Sequence, residues 1–94
     1  MRADLLLKAL CLVKTRNQGR RGCEAGRVRI NGRTAKPSRE VRRGDIVEIR
    51  YPRRILVVEI TELPAGQVTR KERDRFIRVV REIAVRFDSG DWDD

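Results

Sequence analysis

The 94-residue sequence contains no histidine, and aromatic residues make up only 4% of it. The first absence removes the usual general acid–base side chain and the commonest metal ligand, which argues against an enzyme. The second argues against a surface that reads RNA mainly by stacking bases on sheet aromatics. Cysteine is limited to Cys11 and Cys23. Without histidine, two cysteines do not complete a tetrahedral zinc site. They read instead as small, semi-buried, reduced residues. No metal and no cofactor is expected. Long apolar runs are also missing. The stretch from Leu5 to Val13 is flanked by Asp4 and broken by Lys8, with no small-residue cleavage site after it. It is shorter than the ~20 residues a bilayer-spanning helix requires. The expectation is a cytoplasmic protein with no membrane partner.

What the sequence has in excess is positive charge. Lys and Arg number 23 against 14 Asp and Glu, a net charge of +9. Residues 1–54 hold 16 basic and 5 acidic side chains, a net of +11, whereas residues 55–94 have a net of −2. Arginine dominates, with 19 Arg to 4 Lys. Its planar guanidinium makes bidentate contacts to phosphate and stacks on bases. Solubility alone does not require such a concentration on one half. A nucleic acid is therefore the favoured partner over an acidic protein or a membrane surface.

The length fits one small domain. Leu6, Ala9, Leu10 and Val13 follow a helical period and predict a helix over 3–13, with Asp4 placed to suit its dipole. Thr15 and Gln18 form a capping-box pattern that opens a second helix at Arg16, and Gly26 supplies the stop. Gly19 and Gly22 weaken that helix by about 1 kcal/mol each relative to Ala. Arg27-Val28-Arg29-Ile30 alternates like a strand and runs into Asn31-Gly32, a type I′ turn signal. Strands are expected at Ile46–Tyr51 and Ile55–Thr61. A second capping box, Thr69 with Glu72, predicts a helix from Arg70 to about Phe87. That helix would carry Phe76, Val80, Ile83 and Phe87 on one stripe, with Asp74–Arg78 and Glu82–Arg86 as i,i+4 pairs. The acidic residues 88–94 read as a disordered tail. The expected architecture is α+β: two N-terminal helices, a small, mainly antiparallel sheet and a C-terminal helix. The basic side of the second helix, the outward arginines of the first strand and the Lys36 loop would form one phosphate-binding surface.

Arg2-x-Asp4, Lys14-Thr15-Arg16, Gly26-Arg27-Val28-x-Ile30-Asn31-Gly32, Lys36-Pro37-Ser38 and Val41-x-x-Gly44-Asp45-x-Val47 occur in that order over residues 1–51. This ordered set resembles the S4 RNA-binding domain family. Within it, the sequence is most similar to the small stand-alone bacterial branch, of the fifteen-kilodalton heat-shock protein and ribosome quality-control factor P type. Thr69-Arg70-Lys71-Glu72-Arg73 resembles the basic region near the heat-shock protein's C-terminus. The resemblance implies an S4-like domain over 1–63, a helical extension over 64–87 and a tail over 88–94. It implies a non-enzymatic function: binding of rRNA, and of tRNA, on the large ribosomal subunit in rescue or quality control of stalled nascent chains. A monomer is expected. Arg2 and Arg16 match family positions that contact RNA, although a flexible N-terminal charge and a structural pair with Asp4 are the respective alternatives. Lys14, Arg20 and Arg21 belong to the second-helix side, and Arg27, Lys36 and Ser38 flank the first hairpin. Ala3, Leu5, Gly19 and Gly22 depart from the family's usual residues, and the two glycines bear on how Arg20 and Arg21 are placed. The alternative function is a basic adaptor domain that binds an acidic protein.

Overall fold

The structure, a computed structural model, describes residues 1–86. Helix α1 spans Ala3–Ala9 and α2 spans Arg16–Glu24. Strands β1 (Val28–Ile30), β2 (Arg33–Thr34), β3 (Ile46–Arg50), β4 (Arg54–Ile60) and β5 (Ile77–Ala84) follow. They form one antiparallel sheet in the order β2-β1-β3-β4-β5. The fold is α+β, as the sequence indicates, with a C-terminal strand in place of the expected C-terminal helix.

Helix α1 is shorter than its apolar period. Leu10 caps it, and Cys11 enters the left-handed region at φ 57°. Cys11 N–H donates to Lys8 O and Leu12 N–H to Leu7 O, a Schellman closure made without glycine. Leu12 and Val13 are nevertheless buried, because the non-helical segment that carries them also runs over the core. Helix α2 begins as expected, with the Thr15 hydroxyl accepting from Gln18 N–H. It ends in a second Schellman motif, with Gly26 at φ 76° and Arg27 N–H donating to Gly22 O. Asn31 at φ 52° and Gly32 at φ 82° make the two-residue turn between β1 and β2.

Gly19 has a packing reason. A Cβ there would stand 3.0 Å from the Asp4 carbonyl oxygen, so the missing side chain lets α2 lie close against the start of α1. The helix pair covers one face of the sheet. Leu6, Leu7 and Leu10 pack in one core with Val28, Ile30, Val41, Val47, Ile49, Val58 and Ile60.

The segment 70–86 corrects the helical expectation. The Thr69–Glu72 capping box does form: Thr69 N–H donates to Glu72 Oε1 at 3.0 Å and Glu72 N–H to Thr69 Oγ1 at 3.3 Å. It supports only one 3-10 turn, Arg73–Arg75. The chain then pairs with β4 as β5, with a register irregularity at Val57/Val58. Ile77, Val79, Val80 and Ile83 are β-branched, which suits a strand, and β4 would otherwise lack a partner on that side. The charges pair across strands and not along a helix: Arg78 meets Glu59 at 2.8 Å and Arg54 meets Glu82 at 2.6 Å. Ile77 is buried and Phe76 packs against the core, while Val80 and Ile83 are exposed. Phe87 and the acidic tail, residues 88–94, lie outside the described residues.

Candidate nucleic-acid interface

The buried polar residue that organises the basic face is Asp4, 2% exposed, at the start of α1. Its carboxylate accepts from its neighbour's backbone, Leu5 N–H, at 2.8 Å. It also accepts from Arg2 Nε at 3.0 Å and Arg2 Nη2 at 3.2 Å, a two-pronged contact. Arg16 Nε, from the first turn of α2, lies 3.5 Å from the same carboxylate. The two guanidinium groups are half exposed. One buried anion thus fixes two cations, one from the residue that precedes α1 and one from the first turn of α2, and each side chain stays half exposed. Arg2, Arg16 and Arg20 line a shallow cleft with Asp4 and Asn17. Arg20 is further held by Asn17 at 2.5 Å and by Glu24 at 3.2 Å.

The Lys36–Ser38 loop adjoins this cluster through the backbone. Pro37 O accepts from Asp4 N–H at 3.1 Å, and Arg39 O accepts from Ala3 N–H at 2.9 Å. The loop therefore satisfies two of the unpaired amides at the start of α1. It leaves Lys36 and Ser38 exposed. Arg21 is exposed in the last turn of α2 and Arg27 is half-buried just beyond it, and neither lines the cleft. Lys14 stands elsewhere, in a groove on the other side of the α2 start, with Lys8, Tyr51, Arg54, Arg70 and Arg73.

Of the residues in that groove, sequence reasoning passed over Lys8. Arg70 and Arg73 belong to the basic run after Thr69, and nothing local shows that this run crosses the end of α1. Val68 N–H donates to Ala9 O at 3.0 Å, and Arg73 Nη1 donates to Cys11 O at 3.2 Å. The Tyr51 hydroxyl donates to Leu12 O at 2.5 Å, and burial pushes its pKa up to about 12. Both cysteines carry free thiols; Cys23 is buried, and burial pushes its pKa up to about 11. No described helix is long and apolar enough to cross a membrane.

A helix pair on a small antiparallel sheet, with the basic residues gathered on the helices and the following loop, defines an S4-type module. The S4 domain pattern matches residues 1–47. The RQC P-site tRNA stabilizing factor of Halalkalibacterium halodurans is 39% identical over 72 residues, covering 77% of this chain and 80% of that protein. The factor of the same name from Bacillus subtilis is 36% identical over 72 residues, covering 77% and 81%. Among solved structures, the trimeric heat shock protein 15 of Vibrio cholerae matches with a TM-score of 0.81 at 29% identity, covering 85% of this chain and 81% of that one. The solution structure of the hypothetical protein HP1423 matches with a TM-score of 0.74 at 35% identity, covering 86% and 98%. The chain belongs to the S4 domain family, in the group of small members that contains the RQC P-site tRNA stabilizing factors.

Proposed function

We propose that this chain is a non-enzymatic, cytoplasmic RNA-binding protein that engages rRNA and tRNA on the large ribosomal subunit during quality control of stalled nascent chains. The observation that carries the reading is the Asp4-centred pair of Arg2 and Arg16. A buried carboxylate orients both guanidinium groups, yet each keeps free donors at the surface. Pre-positioned arginines of this kind suit phosphate oxygens, because less side-chain freedom is lost on binding. Arg20 lines the same cleft, and the loop that carries Lys36 and Ser38 is hydrogen-bonded to the start of α1. Relatives named for P-site tRNA stabilisation support the tRNA part of the reading. One copy of the chain is taken as the binding unit.

The test is co-sedimentation of the purified protein with isolated large and small subunits over a salt series. Binding to large subunits is expected, with log K falling by about 0.7–0.9 per phosphate contact for each tenfold rise in salt. Arg16→Ala should weaken it. Absence of subunit binding, or affinity that salt does not change, would overturn the reading in favour of an acidic protein partner.

A further inference from the structure

The early end of α1 creates a feature that the Arg2–Arg16 face does not use. After the Cys11 turn, the 67–73 segment crosses the helix end and the β3–β4 turn closes the opposite side. Between them lies a groove of about 610 Å³. Among the described residues its lining includes Lys8, Lys14, Arg54, Arg70 and Arg73 and no carboxylate-bearing residue. Lys8 Nζ and Arg73 Nη1 have neutral partners, Gln67 Oε1 at 2.7 Å and Cys11 O at 3.2 Å, so these contacts cancel neither charge. Arg73 Nε is buried with no hydrogen-bond partner among the described residues. A buried donor left in that state is unfavourable, and an anionic oxygen admitted to the groove would relieve it. Arg54 is tied to Glu82, and its guanidinium lies 4.8 Å from the Tyr51 ring centroid. This presents a stacked planar surface at the groove wall.

We infer that this groove is a second RNA site, which takes the backbone of a single-stranded segment with phosphates at Arg70, Arg73 and Lys8 and a base against the Arg54–Tyr51 stack. The inference rests on the RNA-binding function proposed above and adds a second contact to it. Arginine planes and aromatic rings are surfaces on which unpaired bases stack, a feature an acidic peptide would not exploit. Helix α2 directs Arg16 and Arg20 to one cleft and Gln18 to the other. The chain would thus bridge two RNA segments, one on each side of the α2 start.

The experiment measures binding of the full chain to large subunits and to a short single-stranded oligoribonucleotide, for wild type, Arg70→Ala, Lys8→Ala and Arg16→Ala. Melting curves confirm that each variant is folded. Arg70 is exposed and Lys8 lies at a helix end, so at least one groove variant should fold. Each groove variant is expected to weaken binding about threefold or more at low salt. The deficit should shrink about threefold over a fourfold rise in salt, as one lost phosphate contact dictates. Arg70→Ala and Arg16→Ala should combine multiplicatively on subunits, because they touch different phosphates. If Arg16→Ala weakens subunit binding while folded groove variants match wild type, the groove assignment is overturned and the proposed function stands. If the wild type binds no subunit, the proposed function falls; oligonucleotide binding lost in the groove variants would still support the groove. Displacement of the oligonucleotide by inorganic phosphate at equal concentration would mark a small-anion site and overturn the RNA assignment. Loss of poly-glutamate binding, with RNA binding intact, would overturn it in favour of an acidic peptide.

Discussion

Gly19 lies directly beneath the Asp4 backbone, with 3.0 Å between the position of an added Cβ and the Asp4 carbonyl oxygen. This contact sets how closely α2 approaches α1, and so where Arg16 meets the Asp4 carboxylate. Helix propensity alone would make Gly19→Ala stabilising by about 1 kcal/mol. Contact with backbone, which cannot swing aside like a side-chain tip, should cancel that gain. Gly19→Val should cost about 2 kcal/mol or more through overpacking. Thermal melts of both variants check this, and a clear gain for Gly19→Ala would show that the helix pair separates easily.

Asp4 and Arg16 should differ in what their loss does. The Arg16 side chain is 50% exposed and 3.5 Å from its partner, and exposed pairs contribute only about 0–1 kcal/mol. Arg16→Ala is therefore expected to move the melting temperature by no more than a few degrees while weakening subunit binding. Asp4→Ala removes the acceptor for Leu5 N–H as well as for Arg2. It should cost about 1–3 kcal/mol, since water can rescue the half-exposed guanidinium groups. It should also weaken RNA binding with every arginine still present. Equal stability losses for the two variants would mean that Arg16 is chiefly structural.

The β5 strand makes a prediction that a C-terminal helix would reverse. Ile77 is 7% exposed and Val80 is 44% exposed. Ile77→Ala should cost about 2–3 kcal/mol, while Val80→Thr should stay within about 0.5 kcal/mol. On a helix with Phe76 and Ile83, Val80 would lie at the centre of the packed stripe. Denaturant unfolding of the two variants decides between the arrangements.

Alkaline pH should unfold the domain in a way that traces to two buried acids. Burial raises the Cys23 pKa from an ordinary 9.0 to about 11, and that of Tyr51 from 10.0 to about 12. In both cases the folded state retains a proton that the unfolded chain has released. The corresponding stability is complete below the ordinary value and declines as pH rises through the shifted one. Cys23→Ala should therefore flatten the loss of stability between roughly pH 9 and 11. At pH 8 an alkylating reagent should modify Cys23 only as fast as the domain opens.

Much of the helical half was legible because its signals are local. Thr15 and Gln18 cap α2 within one turn, Gly26 ends it, and Asn31-Gly32 fixes the hairpin by its own backbone preference. The ordered basic motifs also singled out Arg2, Arg16 and the Lys36–Ser38 loop, all of which the fold brings to the start of α1. Asp4 appeared in the sequence only as a dipole-compatible carboxylate or one partner of Arg16. Its role as a buried hub depends on Gly19 and on the 37–39 carbonyls closing around the start of α1.

The C-terminal segment shows the limit most clearly. Residues 76–83 satisfy a helical stripe, and their β-branched residues equally suit a strand, so local pattern alone leaves two answers. The pairing requirement of β4 selects the strand, because backbone groups left unpaired at a sheet edge gain partners only from a neighbouring chain segment. The groove at the end of α1 likewise exists only because Cys11 stops the helix and the 67–73 segment packs across that end, joining residues more than 50 positions apart. Composition determined that the protein would be basic and how its charge divides along the chain. Long-range backbone pairing and close helix packing decided which of those cations stand together.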